Sequence, residues 1–243
     1  MSLKLKQFVP YSILYAVLLG TSLPLFALTY PLLSDTDVVG EVRIATTHYK
    51  ENLLDLGLRY GIGYYELLEA NAAFHPKRIK PGTPLVIPSQ FILPNNVPHE
   101  GIVVNLAELR LYLYLKDRQE VMTFPVGIGR SGWNTPLAKA KIIDKRTNPS
   151  WYVPDGVYEE MKRRGVIIPR VWPPGPNNPL GKVAMRLSIP AYDIHGTNRD
   201  DGVGRRSSSG CIRMLNDDAS EVYSNVEVGT QVTIVNQPSK IGR

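Results

Sequence analysis

Two residues that could perform nucleophilic catalysis lie close together near the C-terminal end of the chain. Cys211 is the single cysteine among 243 residues, and His195 is one of four histidines. A thiolate can attack a carbonyl carbon while an imidazole takes the thiol proton and later returns it. Because a free cysteine is more often a small buried apolar residue, the pair alone is weak evidence for catalysis.

The neighbouring residues favour the catalytic interpretation. Gly210 precedes the cysteine and Gly196 follows the histidine, and glycine permits close backbone approaches and unusual dihedral angles. Positive charge near a thiol lowers its pKa, which predicts a thiolate. Three arginines surround the thiol in the sequence: Arg205, Arg206 and Arg213.

A longer motif contains both residues. The run His195-Gly196-Thr197-Asn198 is followed, after a polar spacer, by Ser208-Ser209-Gly210-Cys211-Ile212-Arg213-Met214. This pattern resembles the active-site signature of the L,D-transpeptidases, whose catalytic domain is of the YkuD type. Many members carry a histidine between the serine and the glycine, where this chain has Ser209. The resemblance implies attack on a peptidoglycan tetrapeptide stem, release of D-Ala, and transfer of the acyl group to an amine.

The resemblance also implies roles for individual residues. Cys211 is the expected nucleophile, and His195 the base and then the acid. The backbone carbonyl of Gly196 is expected to orient the imidazole, with Asp193 as the alternative because it shares a strand face with the histidine. The oxyanion hole is expected to consist of three backbone N–H groups, those of Ser209, Gly210 and Cys211.

Six side chains are candidates for substrate binding. Guanidinium groups pair with carboxylates in a bidentate manner, and aromatic side chains can form the walls of a groove. The candidates are Arg213, Asn198, Tyr192, Arg206, Trp151 and Trp172. No metal or organic cofactor is implied, because the histidines are scattered and lack ligand spacing.

The N-terminal segment, residues 1–30, predicts export. Lys4 and Lys6 precede a run without charge from residue 11 to residue 30, which is typical of a signal peptide or an uncleaved anchor in the inner membrane. Pro24, late in the run, favours the signal peptide. A net charge of +6 suits an anionic envelope, so a periplasmic location is expected. No basic block with interleaved aromatic residues indicates nucleic-acid binding.

Residues 42–90 predict a small separate module with the order strand, helix, helix, strand. That order, and the ending Ile79-x-x-Gly82-x-x-Leu85-x-Ile87-Pro88, resemble a LysM domain, a family that binds N-acetylglucosamine-containing glycans. The usual Gly-Asp-Thr-Leu start is replaced by Lys50-Glu51-Asn52-Leu53. A structural spacer whose leucines and tyrosines are core is the alternative.

The remaining chain predicts a mainly β catalytic domain, residues 101–236, after a linker over 91–100. We expect a mixed β-sandwich or barrel-like sheet with a few helices, plus the small α+β (βααβ) LysM-like module. Seven prolines between residues 144 and 181 exclude regular sheet there and predict a lid over the site, with one helix at 157–164. Asn216 is the predicted N-cap of a later helix, and residues 237–243 are predicted to be a loose tail.

Three outcomes of the chemistry stay open. The acyl acceptor is either a second stem peptide, which gives a cross-link, or the C-terminal lysine of an envelope lipoprotein, which gives an anchor. The order of the parts resembles the lipoprotein-anchoring subgroup. Water as acceptor would make the protein a hydrolase, and loss of the common histidine at Ser209 permits a non-catalytic peptidoglycan-binding protein.

Overall fold

The computed structural model describes residues 28–76 and 79–243. The N-terminal part contains β1 (Leu28–Pro31), β2 (Val38–Gly40), β3 (Arg43–Thr46), α1 (Leu53–Tyr60), α2 (Tyr64–Ala70), β4 (Pro84–Ile87) and β5 (Gln90–Ile92). The following strands are β6 (Gly101–Asn105), β7 (Arg110–Leu115), β8 (Glu120–Pro125), β9 (Ile128–Gly129) and β10 (Ala138–Thr147). The last elements are β11 (Trp151–Tyr152), α3 (Asp155–Arg163), β12 (Val171–Trp172), β13 (Val183–Leu187), β14 (Asp193–His195), β15 (Arg206–Ser208), β16 (Ile212–Arg213), α4 (Asn216–Ser224) and β17 (Gln231–Val235).

A nine-stranded mixed sheet organises the molecule. Its strand order is β1-β8-β7-β6-β17-β10-β13-β14-β16. The pairs β17–β6 and β14–β16 are parallel and the other neighbours are antiparallel. The sheet curls, so residues from β6–β8 and from β13–β16 pack in one core together with α4. The expectation of a mainly β catalytic domain with a few helices is confirmed.

Residues 102–104 of β6 and 111–115 of β7 form continuous apolar runs, because both faces of these strands are buried. Ile102 and Leu111 pack in the core beneath α4, whereas Val103 and Tyr112 point to the opposite face. Alternate residues of a strand point to opposite faces, so a continuous apolar run needs cover on both sides. The N-terminal part of the chain supplies the second cover.

The strand, helix, helix, strand order over residues 42–90 is present, and β3 pairs with β4 antiparallel. Asn52 caps α1, since its side chain accepts from the amides of Leu54 and Asp55. The module is not separate, because Leu56 and Leu67 pack in one core with Tyr112 of the sheet. Residues 90–92 span the predicted boundary between module and linker, and they form β5, which pairs with β2.

The proline-rich segment folds over one end of the sheet. It begins later than predicted, because residues 144–147 continue β10 and pair with β13. The predicted helix is present as α3 and begins two residues before the predicted start. Despite the prolines, β11 and β12 form a short antiparallel ladder. Buried Asn178 fixes the segment by donating to the carbonyls of Pro149, Trp172 and Pro173.

Both ends of the described chain pack on the sheet. Leu28–Tyr30, assigned to the targeting segment, form part of β1 and pair with β8, while the rest of that segment lies outside the described residues. The predicted loose tail is wrong, because Lys240 donates to the hydroxyl of Tyr112 and Ile241 bonds twice with Asn95. Among residues 28–76 and 79–243, no helix has the length and apolar character needed to cross a bilayer.

Candidate active site

Two adjacent parallel strands bring the predicted nucleophile and base together. In the β14–β16 ladder Ile194 pairs with Ile212, and His195 pairs with Arg213. Ile194 and Ile212 point into the core. Because strand residues alternate, His195 and Cys211 share the opposite face. That face lines a cavity of about 220 Å³ that both residues reach.

The loop that carries Cys211 is fixed by two hydroxyl groups. Ser208 Oγ donates to the carbonyl of Cys211 over 2.6 Å and accepts from the amide of Gly210 over 3.1 Å. Thr135 Oγ1 donates to the carbonyl of Gly210 over 2.6 Å. Gly210 has φ +111°, and a Cβ there would lie 2.9 Å from the ring of Tyr192. The position therefore requires glycine.

The predicted oxyanion hole needs a correction at Gly210. Its N–H points to Ser208 Oγ and is not available to a substrate oxygen. Ser209 and Cys211 keep amides that make no hydrogen bond within the described residues. The loop can thus present two backbone donors, which suffice for an oxyanion hole.

The geometry favours one of the two candidate orienters of His195. Nδ1 lies 2.6 Å from the carbonyl oxygen of Gly196. A carbonyl only accepts, so Nδ1 carries the proton and Nε2 is the free base. Asp193 instead accepts from Arg186 over 2.6 Å and from Arg146 over 3.4 Å. The aspartate is held by arginines of the sheet.

Burial makes the resting pair neutral, contrary to the expected thiolate. It raises the pKa of the Cys211 thiol to about 11, and Arg186 and Arg213, which lower that pKa, do not outweigh it. Burial, followed by the charge of Arg213, lowers the pKa of His195 to about 3. A charged form is costly in a poorly solvated site. At neutral pH the imidazole is therefore free to accept the thiol proton.

The pH dependence of thiol alkylation tests this neutral pair. We expect the rate of Cys211 modification by iodoacetamide in the free enzyme to rise continuously between about pH 7 and pH 10, because only the thiolate reacts. Intact mass reports the modification directly, since the chain has a single cysteine. A thiolate–imidazolium pair would instead give a high rate that is already constant at about pH 7.

The proline-rich segment, which is the predicted lid, lines the cavity around Cys211 together with the sheet. Tyr192 and Trp151, both predicted substrate-binding residues, are part of its wall, with Arg213 at one side. Tyr192 donates its hydroxyl to the carbonyl of Asn134 over 3.4 Å. The lid residues in the lining are Trp151, Pro154, Val157, Pro179 and Leu180.

A larger groove of about 630 Å³ adjoins this cavity and holds the other predicted binding residues. Asn198, Arg206 and Trp172 line it, and Asn198 also donates to the carbonyl of Asn177 in the lid. Trp151 and Trp172 are cross-strand partners in β11–β12. The groove is basic, with one aspartate, Asp201, and five arginines: Arg130, Arg199, Arg205, Arg206 and Arg213.

Ser209 connects the cysteine loop to the lid through Arg130. Nη1 of Arg130 donates to Ser209 Oγ over 2.8 Å and to the carbonyl of Ser208 over 3.2 Å. Its Nη2 binds Glu160 of α3, which also pairs with Arg164. A partly buried charge-assisted network of this kind fixes the relative position of its members.

A Ser209→Ala variant is expected to keep activity within about tenfold of the wild type, since it loses one hydrogen bond but retains the backbone N–H. Initial rates of D-Ala release at saturating donor check this. Thr233→Ala, in β17 away from the cavity, is the matched control. A loss as large as that of Cys211→Ala would instead show that the hydroxyl takes part in the reaction.

Several residues of the site were not predicted from the sequence. Arg130 and Trp133 lie about eighty residues before the cysteine, and Tyr65 of α2 reaches the groove from the N-terminal module. Thr135, which fixes the carbonyl of Gly210, was not predicted either. Arginine, threonine and aromatic residues outside the motif carry no signal of their distant partners, so spacing could not identify them.

The comparisons with known proteins agree on one family. Residues 99–234 match the family model YkuD, the L,D-transpeptidase catalytic domain. The probable L,D-transpeptidase YcfS of Escherichia coli (strain K12) is 39% identical over 236 residues, covering 93% of this chain and 72% of that protein. The probable L,D-transpeptidase ErfK/SrfK of the same strain is 40% identical over 218 residues, covering 88% and 70%.

A crystal structure of an L,D-transpeptidase from Mycobacterium tuberculosis H37Rv is similar at 18% identity and a TM-score of 0.42, covering 64% of this chain and 63% of that chain. The family model alone covers more than half of the sequence, and the two Escherichia coli relatives align with nearly all of it. The chain therefore belongs to the L,D-transpeptidase family and carries its catalytic domain.

Proposed function

We propose that this enzyme uses Cys211 to transfer the acyl group of a peptidoglycan tetrapeptide stem to an amine. One observation carries the proposal. Cys211 and His195 occupy one face of adjacent strands, share a cavity, and the imidazole Nδ1 lies 2.6 Å from the Gly196 carbonyl, so Nε2 is left as a base.

The first half of the reaction begins with the proton on the sulfur of Cys211. As Cys211 Sγ bonds to the carbonyl carbon of the residue before D-Ala, its proton passes to Nε2 of His195. The amides of Ser209 and Cys211 stabilise the oxyanion. The C–N bond then breaks, the imidazolium returns its proton to the amine of D-Ala, and a thioester remains.

The second half reverses the proton transfers. The amine of the acceptor attacks the thioester carbon and gives its proton to His195. Collapse of the intermediate breaks the C–S bond, and His195 returns the proton to the sulfur of Cys211. The products are a new amide and the free thiol, so no external oxidant, reductant or cofactor is needed.

The basic groove is the proposed binding site for the carboxylates of the stem peptides. Arg206 is exposed there, and Nε of Arg205 and of Arg213 are buried donors without a hydrogen-bond partner in the described part of the chain. Buried donors are rarely left unpaired in functional states. Asn198, Trp151, Trp172 and Tyr192 complete the proposed binding surface.

Product analysis tests the reaction and its acceptor together. The purified chain is incubated with a tetrapeptide stem as donor under three conditions: with a second stem, with a peptide ending in lysine, and without an amine. The products are identified by mass spectrometry. An adduct with the lysine peptide supports lipoprotein anchoring, and a dimer of stems supports cross-linking. Free acyl acid formed equally with and without amines would identify a hydrolase and refute transfer.

We also propose that residues 42–90 are a LysM-like module that binds glycan. The strand, helix, helix, strand order and the antiparallel β3–β4 pair support this assignment. Since the module shares its core with the sheet, the test uses the whole chain as Cys211→Ala. Retention on peptidoglycan stripped of peptides supports glycan binding, and retention only on peptide-bearing material refutes it.

Export to the periplasm is the remaining proposal. Lys4, Lys6 and the uncharged run from residue 11 to residue 30 support this proposal, because they are typical of a signal peptide or an uncleaved anchor. N-terminal sequencing of the protein from its native envelope tests this. A first residue near Leu28 supports a cleaved signal peptide, and Met1 supports an uncleaved anchor.

A further inference from the structure

The side-chain amide of Asn216 holds three backbone groups next to the catalytic histidine. Its Oδ1 accepts from the amide of Lys182 over 2.9 Å and from the amide of Thr197 over 3.2 Å. Its Nδ2 donates to the carbonyl of Thr197 over 2.7 Å. Asn216 therefore joins the first residue of α4 to the loop that follows His195.

A helix cap does not account for this side chain. Asn216 is the first residue of α4, and the N-cap position belongs to Leu215, which supplies no side-chain hydrogen bond. The sequence-based expectation that Asn216 caps the helix is wrong. Its amide points away from the helix amides and toward the histidine loop.

The hydrogen bond to Thr197 determines where the Gly196 carbonyl points. The carbonyl of Gly196 and the N–H of Thr197 belong to one planar trans peptide, in which C=O and N–H point in opposite directions. Asn216 holds the N–H end of this peptide, and the carbonyl end lies 2.6 Å from His195 Nδ1. The histidine and its partner peptide are both buried.

Two glycines make room for the asparagine. A Cβ at Gly196 would lie 2.3 Å from Asn216 Oδ1, and a Cβ at Gly181 would lie 2.1 Å from the same atom. Real side chains do not approach so closely, so both positions accept only glycine while Asn216 is in place. The close fit indicates that the amide is held in one orientation.

We propose that Asn216 is a positioning residue that orients the imidazole of His195 through the Gly196–Thr197 peptide. The inference rests on the proposed role of His195 as base and acid. The asparagine never touches the substrate. It fixes the peptide whose carbonyl selects the Nδ1–H tautomer, and its hydrogen bond polarises that carbonyl toward the imidazolium that forms during the reaction.

Removal of the amide is expected to lower turnover more than binding. Asn216→Ala should reduce kcat for D-Ala release about 10- to 100-fold, with KM within about threefold, since partners at this distance from the chemistry typically have effects of that size. Asn225→Ala is the matched control, because Asn225 is a hydrogen-bonded asparagine at the other end of α4. It should keep the wild-type rate.

The pH dependence of an Asn216→Asp variant distinguishes a positioning role from a purely structural one. A neutral carboxyl can accept from Thr197 and donate to its carbonyl, as the amide does, but a carboxylate cannot donate. Because partial burial raises the pKa of a carboxyl at position 216 above its ordinary value, the ratio of the Asn216→Asp rate to the wild-type rate should rise as pH falls from about 8 to about 5. A flat ratio would overturn the proposal.

A nitrogen NMR spectrum of the imidazole separates this inference from the proposed reaction. The wild type should show the Nδ1–H tautomer of His195, and folded Asn216→Ala should show a mixture of tautomers. This readout needs no turnover, so it holds even if the donor substrate is wrong. An unchanged tautomer in Asn216→Ala, or an equal change in Asn225→Ala, would refute the role of Asn216.

Discussion

A Cys211→Ala variant is expected to release no D-Ala from a tetrapeptide stem above the uncatalysed background. Alanine has no nucleophile, and neither His195 nor the loop amides can form the thioester without sulfur. We expect the rate to fall by about 10³-fold or more, as for other enzymes that lose a nucleophile. Initial rates measured at equal protein concentration, with the fold checked by circular dichroism, test the loss.

The same rate measurement tests His195 as the general base. His195→Gln should lower the rate by about 10²- to 10⁴-fold, which is the usual contribution of a general base. The double variant should be no slower than Cys211→Ala alone, because the two side chains act as one unit. Activity above about one-tenth of the wild type in Cys211→Ala would place the nucleophile elsewhere.

A Glu66→Ala variant is expected to destabilise the whole protein by about 3–5 kcal/mol, the usual cost of leaving one partner of a buried ion pair alone. Arg110 of β7 is fully buried, and its Nε and Nη2 bind the carboxylate of Glu66 over 2.7 and 2.5 Å. The guanidinium also donates to Thr123 and stacks over Phe91 at 4.1 Å. Among the described residues, Tyr112 and Glu108 also act on this charge but make no hydrogen bond to it, so they would not replace Glu66.

The structure offers a matched control for this pair. Glu66→Leu combined with Arg110→Met replaces both charges by apolar groups and should recover most of the lost stability. Urea unfolding of all variants, followed by tryptophan fluorescence, gives the free energies. A loss below about 1 kcal/mol in Glu66→Ala would show that water reaches Arg110 and that the module binds the sheet only loosely.

The strands of the sheet could be predicted well from the sequence. The packing of the N-terminal part of the chain on one face of the sheet could not. Strands such as β6 and β8 follow from runs of β-branched and aromatic residues. The same runs do not reveal which part of the chain covers Val103 and Tyr112. Phe91 and Ile92, the first two residues of the predicted linker, pair with β2 instead, because that linker was predicted from the prolines and asparagines at residues 94–98.

Only part of the site could be predicted from the sequence. His195, Gly196 and Cys211 could be identified because their motif is specific and local. Thr135 and Asn216 could not be assigned their contacts, since they bond to backbone groups far along the chain. The prediction of a thiolate is wrong, because burial raises the pKa of Cys211 more than the neighbouring arginines lower it. No local sequence pattern reports burial.

The most direct test of the account is the intact mass of the wild-type chain shortly after mixing with a tetrapeptide stem in the absence of an amine acceptor. We expect a mass gain equal to the stem minus D-Ala, mapped by peptide digestion to Cys211 and absent in Cys211→Ala. An unmodified protein that nevertheless releases D-Ala, or an adduct on another residue, would contradict catalysis through a Cys211 thioester.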